Sequence, residues 1–139
     1  MTNPPFEVFE HTADMGLRAY GADLSELFVN GARGMFDIMC DASSVKREME
    51  LPVEERDDEI EYLFAAWLNE MLYLFTARRM VLCDCRAAVG DGVVRGVAIG
   101  ERLDLKRHRL RTEIKAVTHH ELRVTKEGDI WTAQVIFDV

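Results

Sequence analysis

The sequence predicts an α+β fold, a single two-layer domain over residues 1–139 in which two main helices pack on one face of a mainly antiparallel sheet. Two observations carry this. Stripes beginning at Leu24 and at Ile60 repeat apolar residues at three- and four-residue spacing, as helices with one buried face do. Much of the remaining chain consists of short apolar or alternating runs broken by glycine-bearing turns, the pattern of hairpin strands. A chain of 139 residues with no internal repeat or low-complexity linker is the size of one ordinary domain with one core.

The first strands flank His11-Thr12-Ala13-Asp14-Met15-Gly16. Residues around Phe6 and Val8 read as extended, and Leu17-Arg18-Ala19-Tyr20 alternates until Gly21. The six residues between them read as a loop, with Gly16 supplying a positive φ for a sharp reversal. Asp23-Leu24-Ser25-Glu26 has the form of a capping box, so a helix starts there and runs to about Cys40, with Gly31 and Ala32 allowing close packing. Met49, Leu51 and Val53 alternate as a half-buried strand within residues 45–53, and Pro52 marks an edge. Asp58 and Glu61 complete a second capping box ahead of the stripe Ile60, Leu63, Phe64, Trp67, Leu68, Met71, Leu72 and Phe75. Burying most of these side chains contributes about 1.5–3 kcal/mol each before chain entropy is subtracted, which puts this helix at the centre of the core. Residues 80–89 and 93–99 form a hairpin about Gly90-Asp91-Gly92, and residues 114–118 read as extended. A last hairpin joins residues 122–124 to residues 130–137 about Glu127-Gly128-Asp129.

Composition excludes some classes of function. Seventeen basic against twenty-five acidic residues give a net charge of −8, which opposes binding to nucleic acid by general electrostatics. The one local basic run, Lys106-Arg107-His108-Arg109-Leu110-Arg111, reads as a solvated hairpin tip. No apolar run approaches the roughly 20 residues that cross a bilayer, and the N-terminus has no signal-peptide pattern, so a cytoplasmic location without membrane contact is expected. Cys40, Cys83 and Cys85 are an odd set that fits reduced thiols. Cys83 and Cys85 are expected on one strand face as buried or semi-buried thiols, since no second pair or nearby His completes a metal site.

The chemistry-bearing groups lie far apart in sequence. Asp14 either caps its own turn or projects as a ligand. Asp138 and the α-carboxylate of Val139 directly follow a buried-looking strand. If the first loop and the last strand share an edge, three carboxylates converge, and such a group requires protonation or a cation. All-oxygen ligation favours Ca²⁺, Mg²⁺ or Mn²⁺ over zinc. His11, His119 and His120 are either nitrogen ligands or hydrogen-bonded structural residues, and Lys115 either holds an anion or neutralises the cluster. There is no nucleophile triad, P-loop or dinucleotide fingerprint, so no catalytic residue is assigned.

With His11-Thr12-Ala13-Asp14-Met15-Gly16, Asp23-Leu24-Ser25-Glu26-Leu27-Phe28, Trp67-Leu68-Asn69-Glu70, Ile114-Lys115-Ala116-Val117-Thr118-His119 and Val135-Ile136-Phe137-Asp138-Val139 in this order, the sequence resembles the archease family from end to end. The resemblance implies an accessory protein, not an enzyme. Its implied partner is the GTP-dependent tRNA-splicing RNA ligase, which joins a 2′,3′-cyclic or 3′-phosphate end to a 5′-hydroxyl. The implied role is to promote guanylylation of the ligase's active-site histidine and multiple turnover in tRNA splicing and RNA repair, with RNA contacted only indirectly. The family's metal-binding positions carry over to Asp14, Asp138 and the terminal carboxylate of Val139, and Lys115, His11 and His119 are activation candidates. At 119 this chain has His where many members are expected to have Tyr, while Tyr20 and Glu70 match family patterns with structural roles. Two alternatives stand beside this reading. One is a chaperone-like modulator of another tRNA-processing enzyme, such as a tRNA methyltransferase. The other is a stand-alone metal-dependent phosphohydrolase, for which the sequence offers no clear general base.

Overall fold

In the computed structural model, which describes residues 4–11 and 13–139, two helices pack on antiparallel strands that are shared between two sheets. The five-stranded sheet has the order β1 (Phe6–His11), β2 (Asp14–Gly21), β8 (Ile130–Asp138) and β6 (Ala116–Val117), with β7 (Arg123–Glu127) also paired to β8. The three-stranded sheet runs β3 (Met49–Arg56), β5 (Val93–Arg102), β4 (Met80–Gly90). The helices α1 (Leu24–Met39) and α2 (Ile60–Thr76) fill the space between them, and the main core cluster draws on both helices and both sheets.

Helix α1 starts where its cap dictates, with the Asp23 carboxylate accepting from the Glu26 amide at 2.8 Å. Glu26 reaches back to the amide of Ala22, one residue beyond the Asp23 amide of the reciprocal bond the capping box predicts. At α2 the expected box does not form. Glu59 is the N-cap residue and makes no side-chain cap bond, because Asp57 rather than Asp58 turns inward and accepts from the Glu59 amide at 2.9 Å. Packing decides this helix instead. Trp67 is fully buried with its indole N–H donating to the Phe28 carbonyl at 3.0 Å, and Phe64 meets Phe28 edge to face at 5.2 Å. Gly31 lets the Phe64 ring sit against the α1 backbone, the close packing its small side chain foretells.

Strand β3 is an edge strand as Pro52 requires, but it begins at Met49: residues 45–48, which follow a 3-10 turn at Ala42–Ser44, are irregular, and the Lys46 amide there donates to the Glu101 carboxylate instead of to a ladder partner. Cys83 is half-buried and Cys85 buried, both as free thiols, but a bulge overturns the expectation that they share one strand face. Leu82 pairs with Gly100 and Asp84 with Ile99, so Cys83 is the extra residue and strand alternation breaks there. Cys85 therefore enters the main core, where burial pushes its thiol up to about 12, while Cys83 joins a separate small cluster with Cys40 and Val81. Among the described residues no helix is long and apolar enough to cross a membrane.

Candidate carboxylate site

The first loop is tighter than its sequence suggests. His11 pairs directly with Asp14, which leaves a two-residue connection, and Ala13 carries the left-handed backbone at φ 65°. Thr12 lies outside the described residues. Gly16 does not make the turn. It sits within β2, where a Cβ would fall 2.1 Å from the Phe9 ring, so its function is clearance for Phe9, over which the Arg18 guanidinium stacks at 4.3 Å.

Register then brings the sequence extremes together. Strand β2 pairs with β8 through Met15 and Phe137, so one step further toward the rim Asp14 lies opposite Asp138. On the flanks His11 pairs with Asp14 and Ala116 with Asp138, giving one row of His11, Asp14, Asp138 and Ala116 across four strands. Opposed residues of an antiparallel pair point to the same face, and successive residues alternate. Since Met15 and Phe137 pack into the core, the two aspartates point to the face away from the helices. Asp14 is half-buried and Asp138 exposed, while the Val139 side chain packs back onto the core. The Lys115 amide donates to the Asp138 carbonyl at 2.7 Å, which fixes the exposed Lys115 beside the row.

The remaining candidates are not all brought in. Thr118 bonds the Ile136 carbonyl through both its amide and its hydroxyl, and there the chain leaves the sheet. His119 accordingly stacks on Tyr62, with ring centroids 5.0 Å apart, and His120 is exposed in the following loop. The His11 side chain lies outside what is described. Tyr20 donates its hydroxyl to Glu7 at 3.0 Å, a strand-to-strand contact in keeping with a structural role.

The donor chemistry at the rim fits a hard cation in part. Among the described residues no three His, Cys, Asp or Glu side chains form a group that would hold a metal. The row supplies two carboxylate side chains, and the third donor of the expected set is the main-chain carboxylate of Val139. Two solvent-reachable carboxylates suit a cation that keeps several waters, as Mg²⁺ does, and do not suit zinc. The Asp138 carboxylate makes no ion pair or hydrogen bond among the described residues.

Other acidic groups are compensated internally. Buried Glu101 accepts from Arg107 and from the Lys46 amide, and the Nε2 of fully buried His108 lies 3.0 Å away. His108 Nδ1 accepts from the Asp104 amide at 2.9 Å, so the neutral ring carries its proton on Nε2, facing Glu101. Arg107 foremost, against the cost of burial, holds the Glu101 carboxyl at about 2. The basic run is thus not a solvated tip, because Arg107 and His108 fold onto Glu101 and Arg111 pairs with Asp37 at 3.1 Å. Sequence reasoning missed Glu101. The available signal was its place at the end of a strand followed by paired cations.

These features define a small α+β domain that presents a carboxylate row at the end of its central strand. The model of the Archease protein family (MTH1598/TM1083) matches residues 6–139. The protein archease of Methanosarcina acetivorans is 37% identical, with 96% of this chain and 95% of the relative covered, and that of Pyrococcus furiosus is 32% identical, with 96% and 98% covered. The solution structure of Methanobacterium thermoautotrophicum protein 1598 superposes with a TM-score of 0.82 at 35% identity, covering 97% of this chain and 99% of that one. A Thermotoga maritima crystal structure, described as an archease and possible chaperone, shares the fold with a TM-score of 0.67 at 23% identity, covering 100% and 98%. The chain belongs to the archease family.

Proposed function

We propose that this protein is an accessory factor that promotes guanylylation and turnover of a GTP-dependent RNA ligase acting in tRNA splicing and RNA repair. The observation that supports the reading is the β2–β8 register, which ends at Met15 and Phe137 and, carried one residue further to the rim, sets Asp14 across from Asp138, more than a hundred residues away in sequence. In this reading Asp14, Asp138 and the Val139 carboxylate hold a divalent cation. Such an ion neutralises phosphate charge and orients the attacking group in nucleotidyl transfer. The rest follows from the chain's own groups. The β2–β8 ladder presents both carboxylates from rigid strands. Lys115 sets one positive charge beside them, able to meet a phosphate or to relieve carboxylate repulsion. The net charge of −8 steers the protein toward a basic cleft, so stimulation should fall as ionic strength rises.

The test is ligase guanylylation at limiting enzyme with wild-type protein, Asp14→Ala and Asp138→Ala. A loss of stimulation of about tenfold or more by folded variants is expected, equivalent to about 1.4 kcal/mol of transition-state stabilisation. Stimulation at the wild-type level would overturn the reading. Mn²⁺ should also raise the Tm of the wild type and leave that of Asp138→Ala unchanged, since only a protein with a native site is stabilised by mass action. The description of the Thermotoga maritima relative as a possible chaperone favours a second reading, a modulator of another tRNA-processing enzyme such as a tRNA methyltransferase. That activity would survive loss of both aspartates.

A further inference from the structure

We infer that the cleft between the end of α2 and residues 110–113 binds an apolar α-amino acid as its zwitterion. The inference is independent of the ligase reading. The cleft has a volume of about 480 Å³, within the range of sites that hold small molecules. Its apolar lining is Met39, which belongs to the main core, Phe75, half-buried against that core, and Leu110, which is 43% exposed. Main-chain bonds fix the wall. The Arg111 amide donates to the Met39 carbonyl at 2.9 Å and the Thr112 amide to the Ile38 carbonyl at 3.1 Å, which ties residues 110–113 to the end of α1.

Three charged side chains line the cleft, and the chain answers only one of them. Arg111 donates to the Asp37 carboxylate at 3.1 Å. Arg79 and Glu113, both exposed, form no ion pair or side-chain hydrogen bond among the described residues, with each other or with any neighbour. Arg79 is also poorly explained by folding. It follows α2 at φ 57°, in the left-handed conformation that glycine commonly supplies at a helix C-terminus. Its amide donates to the Phe75 carbonyl at 3.1 Å and its carbonyl accepts from the Leu103 amide at 2.8 Å, so the main chain alone closes the turn. The helix dipole favours a cation here, but for an exposed, screened side chain that gain is smaller than the cost of a Cβ in this conformation, and exposed Arg78 already supplies a cation.

These charges select the ligand. The net charge of −8 and the negative end of the α2 dipole both oppose a ligand that is a net anion. A zwitterion carries no net charge and answers both open groups. Its carboxylate accepts from the Arg79 guanidinium, its ammonium donates to Glu113, and an apolar side chain covers Met39, Phe75 and Leu110.

Titration of the full chain with L-leucine and L-phenylalanine, read from the methyl resonances of Met39 and Leu110, tests this. Saturable shifts are expected with at least one of the two. 3-Phenylpropionate, which lacks the ammonium, and phenylalanine amide, which lacks the carboxylate, should each bind at least tenfold more weakly than L-phenylalanine. Arg79→Gly should weaken amino-acid binding at least tenfold while its Tm stays equal or rises, which separates loss of a ligand group from loss of the fold. Glu113→Gln should weaken L-phenylalanine and leave the binding of 3-phenylpropionate unchanged. A wild type that shows no saturable shift with either amino acid, equal binding of all three phenyl compounds, or binding indifferent to Arg79→Gly would each overturn the inference. So would a lower Tm for Arg79→Gly, because the guanidinium would then serve the fold.

Discussion

The carboxylate row at the end of β8 and the Glu101 cluster beneath residues 102–111 are both built from acidic side chains that the fold fixes in place, and they differ in what answers the charge. Glu101 is buried and has Arg107, the Lys46 amide and His108 around it, so its charge is neutralised when the chain folds. Asp84 follows the same rule. Burial pushes its carboxyl up, yet hydrogen bonds from Arg33, Arg47 and the Cys85 amide outweigh that and hold it at about 2. Asp138 lies at the rim, exposed, with no such partner among the described residues. Carboxylates that are answered internally serve folding, and a carboxylate left open on a rigid strand end is available to something outside the chain.

The largest predicted effect breaks this comparison directly. Asp138→Ala should abolish most ligase stimulation and leave stability within about 0.5 kcal/mol, as exposed substitutions do. Glu101→Gln should do the reverse. It removes the charge that Arg107 answers and turns an amide N–H₂ toward donors, and a buried group left unsatisfied costs about 1–3 kcal/mol. A fall in Tm of several degrees with stimulation intact is expected. If Glu101→Gln destroyed stimulation at normal Tm, the division between the two regions would be wrong.

Much of this was legible in the sequence, and the parts that were not share a cause. Both helices, the Asp23 cap, the edge character of β3 and both later hairpins follow from local spacing and turn chemistry. Asp14 and Asp138 could each be singled out locally, but their meeting depends on β2 pairing with β8 in one register, which no local pattern specifies. The Cys83 bulge breaks a period-two rule that assumes a regular strand. Gly16 was legible as a special position and misleading as to why, since a ring from the neighbouring strand needs its missing side chain. His119 is a candidate by residue type and as the last residue of the Ile114–His119 motif, but the two hydrogen bonds that the Thr118 amide and hydroxyl donate to the Ile136 carbonyl mark where the chain leaves the sheet, and the His119 ring stacks on Tyr62.

Acid titration sharpens the contrast with a smaller effect. The Glu101 carboxyl is lowered from 4.5 to about 2, and Asp84 from 3.8 to about 2. A group depressed in the folded state contributes stability that is fully present above its unfolded value and is lost as pH falls through the folded one. Both contributions should therefore be complete above about pH 5 and fade from there toward pH 2. Thermal melts across that range should show a steeper loss for the wild type than for Glu101→Gln. Equal slopes would mean that the Arg107 pair contributes no pH-linked stability.

The smallest effect concerns how the rim is held. Ala13 sits at φ 65°, where a Cβ costs about 1–2 kcal/mol, and glycine would remove that strain while adding about 0.4–1 kcal/mol of freedom to the unfolded chain. Ala13→Gly should therefore stabilise by between zero and about 1.6 kcal/mol, read as a small rise in Tm. Because the β1–β2 and β2–β8 ladders set the position of Asp14 through pairs on both of its sides, relaxing the turn should leave ligase stimulation unchanged. A loss of stimulation at equal or higher Tm would show instead that the strained turn, and not the ladder, aims Asp14 at the rim.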